Sequence, residues 1–479
     1  MTARLLILAI VASIAVTTVS SATTIVVDWD GSGDYTLIQD GIDAASEGDT
    51  VLVMPGTYEG AGNRALNFPA IDLVLMSSGG ARSVTIDCEN ADRGLFFNNP
   101  VTAACLVDGF TITNASASSA AGMYFFGCSP TIRNCILTRN VASNWGGGIY
   151  CTGSASPAFS DCTFSSNEAN YGGGAACASG ASPSFDGCTF SDNTSAEGGG
   201  GASLNSSSPS FTGCSFEGNS VTGGYTNGGG MYLAAGSSPT LFECSFDGNS
   251  AIYRGGAVGI YTNCEPSFTA VSFTNNTAES GAAVAIQGDI APAFNTCLFY
   301  DNAATYVGGA VHSYAGAVPA FEDCTFGSNT AISDGGAMFF ESLSTPELTN
   351  CTLYGNSAPD GSGIWCDDNF TLTNSIIAFG VVGEAVFCAG DPPYVTCSDI
   401  YGNAGGDWMG CLAGMDETDN NLHADPLFCD APNRDFGIDV ASPCTAPNAP
   451  DCGLVGAWDI NCDSPVRAES WGAIKAMYR

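Results

Sequence analysis

Lysine is almost missing from this chain, and histidine is nearly as rare. Against 48 acidic residues stand 11 Lys and Arg and 2 His, for a formal net charge of −37. Between Val141 and Asn433 the only basic residue is Arg254, and the only lysine is Lys475. A nucleic-acid binder needs clustered cations to displace counterions from phosphates, so nucleic acid is not expected as a partner. An anionic membrane surface is disfavoured on the same ground. Strong acidity fits solubility in salt or shared divalent cations without any specific partner.

Short metal and nucleophile motifs are absent too. The chain has 22 cysteines but no Cys-x-x-Cys pair, and His312 and His423 are its only imidazoles. A clustered zinc site is therefore not expected. No Gly-x-Ser-x-Gly elbow and no His-Glu-x-x-His segment occurs.

Long apolar runs are confined to the beginning. Arg4 precedes the apolar stretch Leu5 to Val16, and Ser20-Ser21-Ala22 puts small residues at the −3 and −1 positions. That pattern predicts a signal peptide over 1–22, cleaved after Ala22. The run is shorter than the ~20 residues of a membrane-spanning helix, and no later segment is apolar enough to span. An exported mature chain with no transmembrane segment is expected, and abundant cysteine suits an oxidising compartment.

What the sequence does have is a repeat. SPAFSDCTFSSN at Ser156 recurs as SPSFDGCTFSDN at Ser182, SPSFTGCSFEGN at Ser208 and VPAFEDCTFGSN at Val318, among nine copies in all. Pro always stands five residues before the Cys position and Asn five after it. The Cys positions are 135, 162, 188, 214, 244, 271 (occupied by Val), 297, 324 and 351, spaced by 26 to 30 residues. Gly pairs or triplets such as Gly146 to Gly148 follow most copies. A period near 26 suits one turn of a parallel β-helix carrying three short strands. A solenoid also lets a chain of this length form one elongated unit, where a globule would split into domains.

Stacking turns ~4.8 Å apart converts each repeated residue into a row along the axis. One row runs through Cys135, Cys162 and Cys188 to Cys351, a second through Asn140, Asn167 and Asn193 to Asn356. The Val at 271 favours a packing role for the cysteines, as small polarizable core fillers, over a redox or metal wire. The asparagines suit turns, where the amide bonds backbone of its own or a neighbouring turn.

Both ends of such a stack need closing. Thr36-Leu37-Ile38-Gln39 reads as a capping box with Thr36 as N-cap, opening a short amphipathic helix with Ile38, Ile42 and Ala45 on one face and Gly48 at its end. From Cys366 on, the period breaks and cysteines crowd at 366, 388, 397, 411, 429, 444, 452 and 462. These predict irregular last turns and a disulfide-stapled cap; eight cysteines allow 105 pairings, so the connectivity stays open. After Pro465 a basic, aromatic tail runs to Arg479, readable as a sorting signal or as a frayed end.

The stretch GSGDYTLIQDGIDAASEGDTVLVMPGTYEG, 31–60, resembles the opening of pectin-lyase-like right-handed β-helix proteins. The Gly-Gly-Ala and Phe-x-x-Asn repeats resemble those of polymorphic outer-membrane surface β-helices. Together they cover roughly 24–380. The repeat and the resemblance together imply an all-β, right-handed parallel β-helix of about a dozen rungs, and the residue pattern divides the chain as 23–60 N-terminal cap and first rung, 61–380 β-helix, 381–464 Cys-rich final rungs and cap, and 465–479 tail.

Activity does not follow from that fold, because the superfamily holds both enzymes and non-enzymes. Of the polygalacturonase-like blocks only Asp367-Asp368 is matched, without the Gly-His-Gly or Arg-Ile-Lys blocks, and a solvated turn is the plainer reading. Lyase-like chemistry asks for a base near calcium carboxylates; Arg254, expected in a surface turn, is a weak fit. Asp28, Asp30 and Asp34 in DWDGSGD are spaced like a calcium loop, but position 12 is Gln39 where a full loop has Glu, so a plain turn is expected. No catalytic, cofactor or metal residue is assigned, calcium being the one cofactor left open. The expected function is a non-catalytic exported protein, extracellular, at the cell surface or periplasmic. It would bind an extracellular polysaccharide or cell-surface ligand as a monomer, through exposed Tyr, Ser, Thr and Asn of the turns, with Tyr171, Tyr225, Tyr253 and Tyr306 aligned on one edge. A purely structural envelope role is not separable from this; the alternative is a polysaccharide hydrolase or lyase.

Overall fold

The computed structural model describes residues 22–224, 227–460 and 462. Residues 1–21 of the predicted signal peptide, Tyr225 and the C-terminal tail lie outside the described residues. Among the described residues, parallel strands stack in register into sheets of 15, 14, 13 and 9 strands that wind around one core, from Thr24–Val27 to Asp399–Tyr401. The architecture is a single right-handed parallel β-helix, as expected.

One turn shows how the repeat makes the coil. Ala158–Ser160 lies in the 15-stranded sheet and Thr163–Ser165 in the 14-stranded one. Between them Asp161 adopts φ +50°, the left-handed conformation that bends the chain at a corner. Ser166, at φ +54°, makes the next corner just before Asn167. Glu168–Tyr171 then belongs to the 9-stranded sheet and Ala175–Ala178 to the 13-stranded one. Central turns thus carry four strands where the period suggested three. The segment between the Asn and the Gly run is long enough to extend and pair with its neighbours. Gly172 enters the last strand at φ +68°, where a Cβ would sit 2.1 Å from the Ala175 carbonyl oxygen.

Phe159, Cys162 and Phe164 all point inward and are at most 1% exposed. Phe159 and Cys162 are three residues apart, so strict strand alternation would put them on opposite faces; the Asp161 corner restores the inward direction. Rings stack turn on turn, Phe164 on Phe190 at 4.7 Å and Phe190 on Phe216 at 4.6 Å between centroids. The Cys row lies between the rings as buried free thiols. Cys162 gives its weak S–H to carbonyls at 3.3–3.6 Å. That is packing, as the Val271 substitution implied. Free buried cysteines also appear on the 13-stranded sheet, where Cys151 and Cys177 are register partners.

The capping box does not form. The helix spans Ile38–Ala44, and its N-cap is Leu37, with no side-chain cap bond. The Ile38 N–H is instead taken by Asn63 Oδ1 from the next turn at 2.9 Å, and Gln39 bonds Asp43 and the Asn67 backbone. A long-range side chain has replaced the local cap, and the helix stops before Gly48, with Ala45 already extended. Ile38 and Ile42 still plug the first turn at 0% exposure.

At the other end, Leu412 is fully buried, and Trp408, Cys411 and Met415 pack against the core. Three disulfides form, Cys388–Cys411, Cys397–Cys452 and Cys429–Cys462. Cys366 and Cys444 are free and buried, so the staple uses six of the eight late cysteines. The antiparallel pair Phe428–Asp430 and Asp435–Ile438 does not sit on the end of the stack. It folds back along the outer side of the 14-stranded sheet: Arg434 pairs with Asp301 at 2.7 Å, and Trp458 Nε1 donates to Thr325 Oγ1 at 2.7 Å.

Candidate functional site

Strand alternation leaves the second residue of each strand in the 13-stranded sheet on the side away from the core. In-register stacking turns these residues into a column. The column begins Phe96, Tyr124, Tyr150, with Phe96 and Tyr124 stacked at 5.3 Å and Tyr124 and Tyr150 tilted at 45° with ring centres 6.0 Å apart. Trp145, at the adjoining corner, stacks on Tyr150 at 6.2 Å and on Tyr171 at 4.5 Å. Two small residues follow, Ala176 and Ser203, then Tyr232. After Gly259 and Ala285 the column ends as His312, Phe339, Trp365 and Phe387, with Phe339 stacked on Trp365 at 4.2 Å. Ring lines at both ends thus flank a middle stretch floored largely by small residues.

Two arginines lie on this face. The Arg93 guanidinium carbon is 4.9 Å from the Phe96 ring centre and 5.5 Å from that of Tyr124. That of Arg254 is 4.4 Å from Tyr253 and 4.3 Å from Tyr314. Both are within cation–π range. Arg64, Arg133 and Arg434 pair with carboxylates; among the described residues Arg93 and Arg254 have no such partner. Arg254 Nε is buried without a hydrogen-bond partner.

Around Arg254 the groups are unusually desolvated. Tyr314 donates its hydroxyl to Gln287 Oε1 at 3.0 Å, and Tyr232 and Tyr261 have ring centres 5.2 Å apart. Burial pushes the phenols of Tyr232, Tyr261 and Tyr314 up, so all three stay protonated. His312 is 1% exposed and its pKa is lowered by burial, against the opposing pull of Glu341. Its Nε2 faces Glu341 Oε1 at 3.6 Å, a long and weak polar contact, and neither ring nitrogen has a partner at regular hydrogen-bond distance. Glu341 is held below its usual pKa, chiefly by His312.

The sequence candidates fall out differently. Arg254 does lie at a turn, but packed between rings and not free on the surface. Asp367 and Asp368 tie down the preceding turn, accepting from the Ser342 hydroxyl and the Leu343 N–H. Asp28 and Asp30 bind Ser32 within their own turn at 2.8–2.9 Å, and Asp34 takes the Val26 N–H at 2.8 Å. Among the described residues no group of three or more His, Cys, Asp or Glu is arranged to hold a metal ion. The expected tyrosine edge is not one line: Tyr171 is in register with Trp145, whereas Arg254 and Val307, not Tyr253 and Tyr306, take that place in later turns. The repeated asparagines are not ligand contacts either, being at most 2% exposed. The outward column itself was missed. Its signal is the residue four places after the left-handed glycine that opens each Gly run (Gly146, Gly228 and Gly308 among them), aromatic or His at Tyr150, Tyr232 and His312.

The chain is thus a parallel β-helix protein with an aromatic, arginine-bearing outer face. A family model described as "Right handed beta helix region" matches residues 93–278 and 256–415, and the chain belongs to that family. No curated protein matches the sequence. Among solved structures the chain is similar to the A-module of a mannuronan C-5 epimerase from Azotobacter vinelandii, at 14% identity and a TM-score of 0.31 over 75% of this chain and 93% of that one. Tailspike protein 3 of bacteriophage CBA120 is similar at 12% identity and TM-score 0.31, with 76% of this chain covering 53% of that one. The catalytic unit of an alpha-1,3-glucanase from Streptomyces thermodiastaticus gives 13% and 0.27, over 75% of this chain and 66% of that one.

Proposed function

We propose that this is an exported, non-catalytic protein that binds an extracellular glycan along the outward face of its 13-stranded sheet. The observation that carries the reading is the line of half-buried rings Phe96, Tyr124 and Tyr150, widened by Trp145 and Tyr171. Pyranose rings expose a C–H face that packs on aromatic planes, while phenol and indole edges supply hydrogen bonds. Rows repeated at the ~4.8 Å turn spacing suit a polymeric ligand lying along the axis. Export is supported by the signal-peptide pattern and by three disulfides, which persist in oxidising compartments.

The test is retention of the purified oxidised protein on immobilised neutral and acidic polysaccharides. A Tyr124→Ala/Tyr150→Ala double variant should bind at least about tenfold more weakly, as expected when anchoring aromatics are truncated. Reducing ends and unsaturated products are followed in parallel, with and without calcium. Turnover that disappears in Asp367→Ala/Asp368→Ala would replace this reading with that of a hydrolase or lyase.

A further inference from the structure

We propose that the cluster around Arg254 binds a single anionic substituent, a carboxylate or a sulfate ester, on a glycan that is otherwise uncharged. The inference rests on the glycan-binding reading and adds which glycans the face selects.

The unpaired guanidinium of Arg254 points to a missing anion, and its surroundings mark the place. Arg254 is the one cation between Val141 and Asn433, and among the described residues it has no carboxylate partner. Its Nε is buried and unbonded, although the chain carries 48 acidic residues. The side chain is held on Tyr253 and Tyr314 instead. The neighbouring His312 is 1% exposed and makes no regular hydrogen bond, its Nε2 having only the long 3.6 Å contact with Glu341 Oε1. Buried polar groups are ordinarily satisfied, so the orphaned Arg254 donor, with an incompletely bonded imidazole beside it, marks a place where a partner is absent. An oxyanion there would accept from the guanidinium in a charge-assisted bond, with the protonated phenols of Tyr261 and Tyr314 beside it.

The restriction to one charge comes from what surrounds the cluster. Asp334 and Asp360 continue the row that contains Arg254 at later turns. Glu341, ionised and half-exposed, borders His312. A homopolymeric uronate would lay its next carboxylates over these acids with no second cation to meet them. Like charges brought together at a binding face penalise that ligand, whereas an isolated acidic unit avoids the penalty.

The experiment uses the full oxidised chain on matched glycans: neutral oligosaccharides, the same oligosaccharides bearing one carboxylated sugar or one sulfate ester, and oligogalacturonates. The singly charged forms should bind at least about tenfold tighter than the neutral ones, the scale of one charge-assisted hydrogen bond. Arg254→Gln should bring the acidic form down to the neutral one, and Arg254→Lys should keep part of the preference. A thermal midpoint for each variant shows that it is folded. Comparing the carboxylate and sulfate arms tells which anion is taken. Equal binding of neutral and charged forms, or a preference that survives Arg254→Gln, overturns the proposal and leaves the glycan face standing. Stronger binding of oligogalacturonates overturns the single-charge selection. Retention of no glycan at all overturns the functional reading beneath it.

Discussion

The side-chain oxygen of Asn193 takes two hydrogen bonds from Asn167, one from its backbone N–H and one from its amide, both at 3.0 Å. Asn193 in turn donates to Asn219 Oδ1 at 2.9 Å and to the Phe164 carbonyl at 2.8 Å. Each interior member of the row therefore uses two donors and two acceptor sites while fully buried. No other side chain fits: Asp has no amide hydrogens, Gln is a methylene too long, and an apolar residue strands the groups above and below.

Asn193→Ala should accordingly lower stability by about 2–3 kcal/mol, since a buried polar group left without its partner costs about 1–3 kcal/mol. Asn193→Asp should be at least as damaging at neutral pH, because two donors become acceptors facing acceptors. Urea unfolding followed by far-ultraviolet circular dichroism measures both. A midpoint unchanged in Asn193→Ala would mean that the row is not holding the turns together.

The Cys row makes the opposite prediction. Cys214 is 1% exposed and its thiol is a filler between phenylalanines, and position 271 already carries Val. Cys214→Val should change stability by less than about 1.5 kcal/mol, as volume-conserving core swaps do. In the native protein the free thiols should resist a thiol reagent until the chain unfolds, because burial drives thiols such as Cys88 and Cys105 up to about 12. Rapid native labelling would contradict this account of the core.

A third expectation concerns pH. Asp399, on the last strand of the stack, is 0% exposed and burial raises its pKa to about 7. It accepts the Ala424 N–H at 3.1 Å and the Cys444 thiol at 3.3 Å, so it joins the stack to the C-terminal segment. A folded pKa above the ordinary 3.8 means that the protonated acid is the form the fold favours. Its contribution is full below about pH 4 and is lost as pH rises through about 7. Amide exchange around Ala424 and Cys444 should be slower at pH 5 than at pH 8, after correction for intrinsic rates. Asp399→Asn should flatten that difference; a difference that persists in the variant would assign it to another group.

The inside of this molecule was legible in the sequence because every turn meets the same constraint there. Phe164, Cys162 and Asn167 recur since each must match its copies one turn away. The outer face obeys no such rule, and Tyr150, Ala176, Ser203 and His312 occupy one column without resembling one another. The N-terminal cap misled because Asn63, a turn later, took the place of Thr36. The C-terminal pairings were illegible because the segment reaches far back along the chain, Arg434 to Asp301 and Trp458 to Thr325, where no local pattern operates.

That backward reach makes the C-terminal segment separable from the stack. Phe436 is fully buried against Tyr300 and Tyr354, yet the turns beneath it are already paired with their own neighbours. Reducing Cys397–Cys452 and Cys429–Cys462 removes the covalent ties of this segment and none within the regular turns. Mild reduction should therefore open 428–460 to protease while the β-helix keeps its circular dichroism, as expected of a region that opens below the global unfolding free energy. Trp458→Ala, which removes the bond to Thr325, should increase that sensitivity in the oxidised protein as well. Loss of the β signal together with the first cleavage would show instead that the segment and the stack unfold as one unit.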